Sequence, residues 1–161
     1  MKKLSLLMLA LALLLSLAAC QPAERPKATF APFVTNSTTL AIDAEAAPLL
    51  SALGGELEYA ESPSCAFEGM DKIYVYSGFR IQTYTKGGKD YIRSVELTDD
   101  SVATPEGLRI GATAEGVKAA YGTPSEETAT AIKYIDAEKG ITLQLLLRDG
   151  TVTNIQYLKN V

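Results

Sequence analysis

The chain has 161 residues, with 15 Lys and Arg against 19 Asp and Glu, a net charge of −4, 47% hydrophobic residues, no His and no Trp. That length is enough for one domain with a real core. The acidic balance argues against nucleic acid, whose affinity comes from basic groups neutralising phosphates, and against electrostatic docking on anionic lipid. Without His, the commonest general base near neutral pH and the commonest zinc ligand are both missing.

Met1-Lys2-Lys3 is a short positive segment, Leu4 to Leu15 is almost purely apolar, and Ser16 to Ala19 are small or apolar. This is the layout of a secretory signal over residues 1–19. The uncharged run from Leu4 to Ala19 has 16 residues, short of the roughly 20 that span a bilayer as a helix. Leu17-Ala18-Ala19-Cys20 places a cysteine at the cut, with Leu at −3 and Ala at −1. This phrase resembles the lipobox of the bacterial lipoprotein signal family, whose Cys is diacylated before cleavage. The resemblance implies that Cys20 carries palmitate-like chains and that the protein is a lipoprotein of the cell membrane on its extracytoplasmic side. Two chains anchor stably where one binds reversibly. The cut chain keeps 13 basic against 19 acidic residues, a net charge of −6. With Cys20 lipidated, Cys65 stands alone and no internal disulfide can form. Its context Ser64-Cys65-Ala66-Phe67 points to a buried, inert thiol.

Residues 20–39 read as the lipidated cysteine and a flexible tether. Gln21 to Thr39 carries Pro22, Pro26 and Pro32 with few large apolar residues, and a coil of that length spans roughly 25 Å. The domain is then expected over 40–161. Setting Leu53-Gly54 on Tyr121-Gly122, an offset of 68, brings Ile42 onto Ile110, Leu49 onto Val117 and Ala52 onto Ala120. Each segment has apolar positions at helical spacing and a glycine where the helix stops. Thr113 is the N-cap of the second helix. Glu45 holds the matching place in the first, so Pro48 is the third helical residue, where its missing N–H costs nothing.

A strand-rich block follows each helix. Lys72–Tyr76, Phe79–Tyr84 and Tyr91–Leu97 form the first, and Ile132–Ile135, Ile141–Leu147 and Thr151–Leu158 the second, with Asp149-Gly150 as a hairpin turn. Thr98 to Arg109 connects them. The fold class expected is α+β: a tandem αβββ repeat (40–98 and 107–161) making one antiparallel sheet of about six strands, with the helices on one face.

Alternation sorts the side chains. Phe79, Ile81, Val95, Leu97, Ile141, Leu143, Leu145, Leu147, Ile155 and Tyr157 form the covered phase. Arg80, Gln82, Tyr84, Gln144, Asn154 and Gln156 form the open one. Tyr74 and Tyr76 share a phase, and if it is the open one, that face becomes rich in tyrosine, arginine and amides. Tyr and Arg are enriched at binding hot spots.

The segment Gly107-Leu108-Arg109-Ile110-Gly111-Ala112-Thr113, then Val117 and Tyr121-Gly122-Thr123-Pro124, resembles a phrase of the beta-lactamase inhibitory protein-like fold, shared with the small lipoproteins of outer-membrane barrel assembly. The resemblance implies a tandem helix-plus-strands fold of the kind found in small secreted proteins. Its disulfides have no counterpart here, so inhibition of beta-lactamase does not carry over. Ser64 to Lys72 followed by Tyr74 is also similar to a segment of Gram-positive lipoproteins.

No catalytic residues, metal ligands or cofactor motif stand out. Asp99-Asp100 and Glu126-Glu127 read as solvated loop pairs. The expectation is a non-enzymatic, monomeric module that contacts a protein or envelope component through its open sheet face. Two alternatives are a thiol-dependent activity at Cys65 with Asp71 and Lys72 nearby, and recognition by the loop bearing Cys65, Phe67, Asp71 and Lys72.

Overall fold

The computed structural model describes residues 30–160. The expectations for the signal segment, for Cys20 and for residues 21–29 lie outside them. Phe33–Thr35 (β1) and Thr38–Leu40 (β2) pair as a two-stranded hairpin. Its turn residues Asn36 and Ser37 have φ of 47° and 61°, the backbone that a two-residue hairpin needs and that Asn tolerates. Phe33 is 1% exposed, its ring 5.4 Å from Phe79 and 6.3 Å from Tyr157. The predicted flexible tether is therefore corrected for residues 30–39, which are part of the fold. Their few apolar side chains find partners on the distant sheet, which local composition does not register.

Ala46–Leu53 (α1) and Ala114–Tyr121 (α2) are the two helices, each of eight residues and 68 apart in sequence. Thr113 Oγ1 accepts from Gly116 N at 3.1 Å, closing the first turn of α2. Glu45 holds the matching place before α1 with no side-chain cap bond. Both helices end at a glycine with positive φ, 85° at Gly54 and 77° at Gly122. Those angles suit glycine, which lacks the Cβ that makes them costly.

The strands are Glu58–Pro63 (β3), Glu68–Tyr76 (β4), Phe79–Lys86 (β5), Lys89–Leu97 (β6), Glu126–Glu127 (β7), Ala131–Asp136 (β8), Ile141–Arg148 (β9) and Thr151–Lys159 (β10). They form one antiparallel sheet in the order β3-β4-β5-β6-β10-β9-β8-β7. All six predicted strands are present, and the number is corrected to eight by one strand at each edge. β3 reads Glu-Tyr-Ala-Glu-Ser-Pro and β7 is two glutamates, residues of weak strand preference that only pairing holds extended.

The chain before each helix also joins the sheet. Asp43 N donates to Ile92 O at 2.8 Å and Ile92 N to Ala44 O at 2.9 Å. Before α2, Gly111 N donates to Val152 O and Val152 N to Ala112 O, both at 2.8 Å. A bulge follows each of these contacts. Thr83 pairs with Ile92 but Gln82 with Ser94, leaving Arg93 extra. Leu147 pairs with Val152 but Leu146 with Asn154, leaving Thr153 extra. The extra residue shifts the alternation, so Ile92 with Val95, and Val152 with Ile155, reach the same side.

That side carries the core. Ile81, Ile92, Val95, Leu97, Ile132, Leu143, Leu145 and Ile155 are fully buried together with Phe33, Leu40, Ala46 and Val117 in one cluster. Helices, hairpin and connector thus pack against one face of a large antiparallel sheet. Replacing Phe33 by alanine removes an aromatic anchor of the hairpin and is expected to cost about 3–5 kcal/mol, read as a lowered urea midpoint. A freely mobile segment 30–39 would leave the midpoint unchanged.

Candidate functional site on the uncovered sheet face

Register places one residue from each of the eight strands β3 to β10 in a single transverse row. Glu58 pairs with Val75, Val75 with Arg80, Arg80 with Glu96, Glu96 with Gln156, Gln156 with Gln144, Gln144 with Lys133, and Lys133 with Glu126. Partners directly opposite share a face, and the phase that alternates with this row is the buried one. Eight strands about 4.8 Å apart make the row about 34 Å long. Its central residues are half-exposed, as are Gln82, Ser94, Leu146, Asn154 and Leu158 beside them.

The middle of the row is tied together by charge. Arg80 Nε and Nη2 both lie 2.6 Å from Glu96 Oε2, and Asn154 Nδ2 donates to Glu96 Oε1 at 2.6 Å. The Glu96 side chain is 12% exposed and that of Arg80 48%. One carboxylate is therefore mostly covered while the guanidinium on it still faces water. Lys133 and Glu126 make a second pair at 2.9 Å near the far end. These groups can donate and accept hydrogen bonds across the sheet face, the chemistry of recognition by contact.

Arg80, Gln82, Gln144, Asn154 and Gln156 all take the open phase, as their alternation predicts. Tyr74 and Tyr76 do not. They pair with Ile81 and Phe79 and so face the core; Tyr76 is 8% exposed and stacks on Phe79 with ring centroids 5.0 Å apart. Their inclusion in the open-face set is corrected.

Tyr84 keeps the open phase, pairing with Tyr91, yet it is 3% exposed. Phe67 covers it from the Ser64–Phe67 turn, ring centroids 4.5 Å apart, and the Arg93 guanidinium lies 5.2 Å from the Phe67 ring. The Tyr84 hydroxyl donates to Asp43 Oδ1, while Lys159 Nζ binds Asp43 Oδ2 at 2.8 Å. Arg93 is the bulge residue of β6, and Asp71 meets it at 3.5 Å. Alternation through Tyr91–Leu97 misassigns Arg93. The readable signal was the slip of apolar phase from Ile92 to Val95, which recurs from Val152 to Ile155.

The loop candidates do not form one cluster. Asp71 turns to Arg93, whereas Lys72 lies opposite buried Thr83 and binds Asp90 Oδ2 at 2.7 Å. Cys65 is exposed, correcting its expected burial. Ser64 Oγ accepts from the backbone N–H groups of Ala66 and Phe67 at 3.3 and 3.0 Å, and this turn sends Phe67, rather than Cys65, onto the sheet.

On the covered side, a cavity of about 450 Å³ lies between Phe30, Pro32, Ile42, Ile141 and Tyr157, with Asp136 and Lys139 paired at 2.9 Å at its border. Among the described residues, no group of His, Cys, Asp and Glu is arranged to hold a metal ion, and no helix is long and apolar enough to cross a membrane. No family model, curated protein or solved structure matches the chain.

Burial, and then the hydrogen bond to Asp43, pushes the Tyr84 hydroxyl up from 10.0 to about 12. Folding therefore favours the protonated form. That stabilisation is full below about pH 10 and is lost as pH rises toward 12. The Tyr84→Phe variant is expected to lose less of its urea midpoint over that interval than the parent chain does. Equal losses would show that Tyr84 ionisation does not govern the interval.

Proposed function

We propose that this chain is a lipid-anchored extracytoplasmic binding protein, held at the membrane through Cys20, whose sheet face contacts a protein or envelope component. The observation that carries the reading is one-sided coverage. Among the described residues, two helices, a hairpin and a connector bury one face, and the other keeps a row of arginine, glutamate and amide side chains within reach of a partner. Antiparallel sheets commonly have one solvated face. Here Arg80 and its amide neighbours add the hydrogen-bonding capacity that a contact surface uses.

The domain is a duplication in this reading. Helices 68 residues apart, matching pre-helix hydrogen bonds to Ile92 and Val152, and matching bulges at Arg93 and Thr153 support it. The two bulges are 60 apart, and Glu96 pairs with Gln156, also 60 apart. An approximate two-fold relating the halves then passes through the middle of the polar row. An order of one helix followed by four strands in each half supports the likeness to the beta-lactamase inhibitory protein-like fold.

A thiol-dependent activity has a weaker basis. Cys65 is open to solvent, but Asp71 and Lys72 are each engaged by another charged side chain. A thiol reagent is expected to label Cys65 readily in the native protein, and Cys65→Ser to leave binding unchanged. Loss of binding would favour the loop or the thiol over the sheet.

Two measurements test the main reading separately. Metabolic labelling with palmitate is expected to mark the wild-type chain and not Cys20→Ala; equal labelling removes the anchor. Photo-cross-linking residues at Gln82 or Gln144 are expected to give a discrete adduct in native envelopes, weakened by Arg80→Glu, whereas the same group at Ala47 on α1 gives none. Arg80→Glu sets a second carboxylate opposite Glu96, whose side chain is 12% exposed, and like charges so placed destabilise a sheet; the neutral Arg80→Gln, expected to weaken the adduct with a circular dichroism spectrum that matches wild type, is the control for folding. Adducts from Ala47 alone would overturn the face assignment.

A further inference from the structure

The sheet has two edges, and they are treated differently. At one, β7 is only two residues long and is tied down. Glu126 and Glu127 pair with Lys133 and Lys118 at 2.9 Å, and the flanking Ser125 N and Thr128 N donate to Lys133 O and Ala131 O at 2.8 Å. Short strands and charges of this kind discourage further pairing. At the other edge, β3 runs six residues, every one exposed, with no strand on its outer side among the described residues. An outer side of this kind presents backbone donors and acceptors ready to pair with another chain.

The side chains there are specific in sign. Glu56, Glu58 and Glu61 are exposed, and residues 56–63 include no Lys or Arg. Leu57 is 72% and Tyr59 47% exposed, two of the three large hydrophobic residues that the described chain leaves in water. Glu58 opposes Val75 on the open-face phase, while Tyr59 and Glu61 oppose Tyr74 and Lys72 on the covered phase. The edge thus offers a carboxylate on each side, Glu58 on one and on the other Glu61, whose Oε2 accepts from the Tyr59 hydroxyl and leaves Oε1 for a partner, with an apolar step formed by Leu57 and the Tyr59 ring.

We propose that β3 is the docking edge for an extended, basic segment of a partner protein, which adds to the sheet as a ninth strand. Backbone pairing supplies attachment, and alternate side chains supply selectivity. The segment fitted to this edge has Lys or Arg at two positions three apart, so that one meets Glu58 and the other Glu61 on opposite faces. An apolar residue between them lies against Tyr59. A second copy of this chain fits poorly, because antiparallel self-pairing brings the glutamates of both copies to one seam. Pro63 has no N–H to give and ends the ladder. This inference is independent of the sheet-face reading, since it uses the edge and leaves Arg80 and Gln144 free.

The test uses the mature chain and an acetylated, amidated KVTKVT peptide. Two-dimensional amide spectra are expected to shift at residues 57–62 and to leave Arg80 and Gln144 unmoved, with slowed amide exchange along β3. The EVTEVT peptide, and KVTKVT with alternate backbone nitrogens methylated, are each expected to bind at least about tenfold more weakly, since each lacks one half of the recognition. The Glu58→Lys/Glu61→Lys chain is expected to lose the KVTKVT peptide and to gain EVTEVT. Equal binding of the methylated peptide would reduce the contact to charge alone and overturn strand addition. Shifts centred on Arg80 and Gln144 would overturn the edge as the site. Concentration-dependent dimerisation with β3 amides protected in the absence of peptide would make a second copy the occupant and sink the proposal.

Discussion

The pairing of β6 with β10 is the contact on which the rest depends. Each half of the sheet is a four-strand meander, and only Ser94 to Leu97 against Ile155 to Leu158 joins them. Beyond that short seam, β6 binds the chain before α1, and β10 the chain before α2. The seam holds because its covered phase is aliphatic and aromatic: Val95, Leu97 and Ile155 are fully buried and Tyr157 is 1% exposed. Slipping it by one residue would turn that set toward water and bring Glu96 and Gln156 inward. The hairpin strengthens the same place, since Phe33 lies against Tyr157 of β10 and Phe79 of β5.

One-sidedness follows from that register. Once the covered phase is fixed at the seam, every strand hydrogen-bonded outward inherits it, unless a bulge resets the count. The two bulges, at Arg93 and Thr153, do so where β6 and β10 leave the seam for the pre-helix segments. They keep Ile92 and Val152 in the core, and at Arg93 the extra residue supplies a cation for Asp71 and for the Phe67 ring. Bulges commonly re-aim a side chain in this way. The polar row and the Phe67–Tyr84 contact are both products of one register, read from opposite ends of the strands.

Much of this was legible along the chain. Thr113 as a cap, glycines at 54 and 122, Pro48 in a first turn and Asp149-Gly150 in a hairpin are local signals, and each has a local cause: an unmade backbone bond or a positive φ. The open positions Arg80, Gln82, Gln144, Asn154 and Gln156 followed from alternation within single strands. Alternation failed where the partner strand mattered. Tyr74 and Tyr76 have no phase until β4 is laid against β5. Residues 30–39 looked like tether because Asn36-Ser37 is a weaker turn signal than Asn-Gly, and because the partners of Phe33 lie 46 and 124 positions away. Cys65 looked buried from its neighbours, yet a side-chain turn at Ser64 selected Phe67 instead.

By itself, the amino-acid sequence determined the two helices and the six inner strands, and which side chains go together along stretches free of bulges, because caps, turns and period-two alternation act over a few residues. Only the tertiary structure decided which strands are neighbours, where the bulges fall, and that Glu58 to Glu126 form one line across eight strands. It also decided that, among the described residues, one edge is closed and the other left open. Those outcomes depend on backbone hydrogen bonds between residues far apart in the chain, and a backbone N–H carries no mark of the partner it will find.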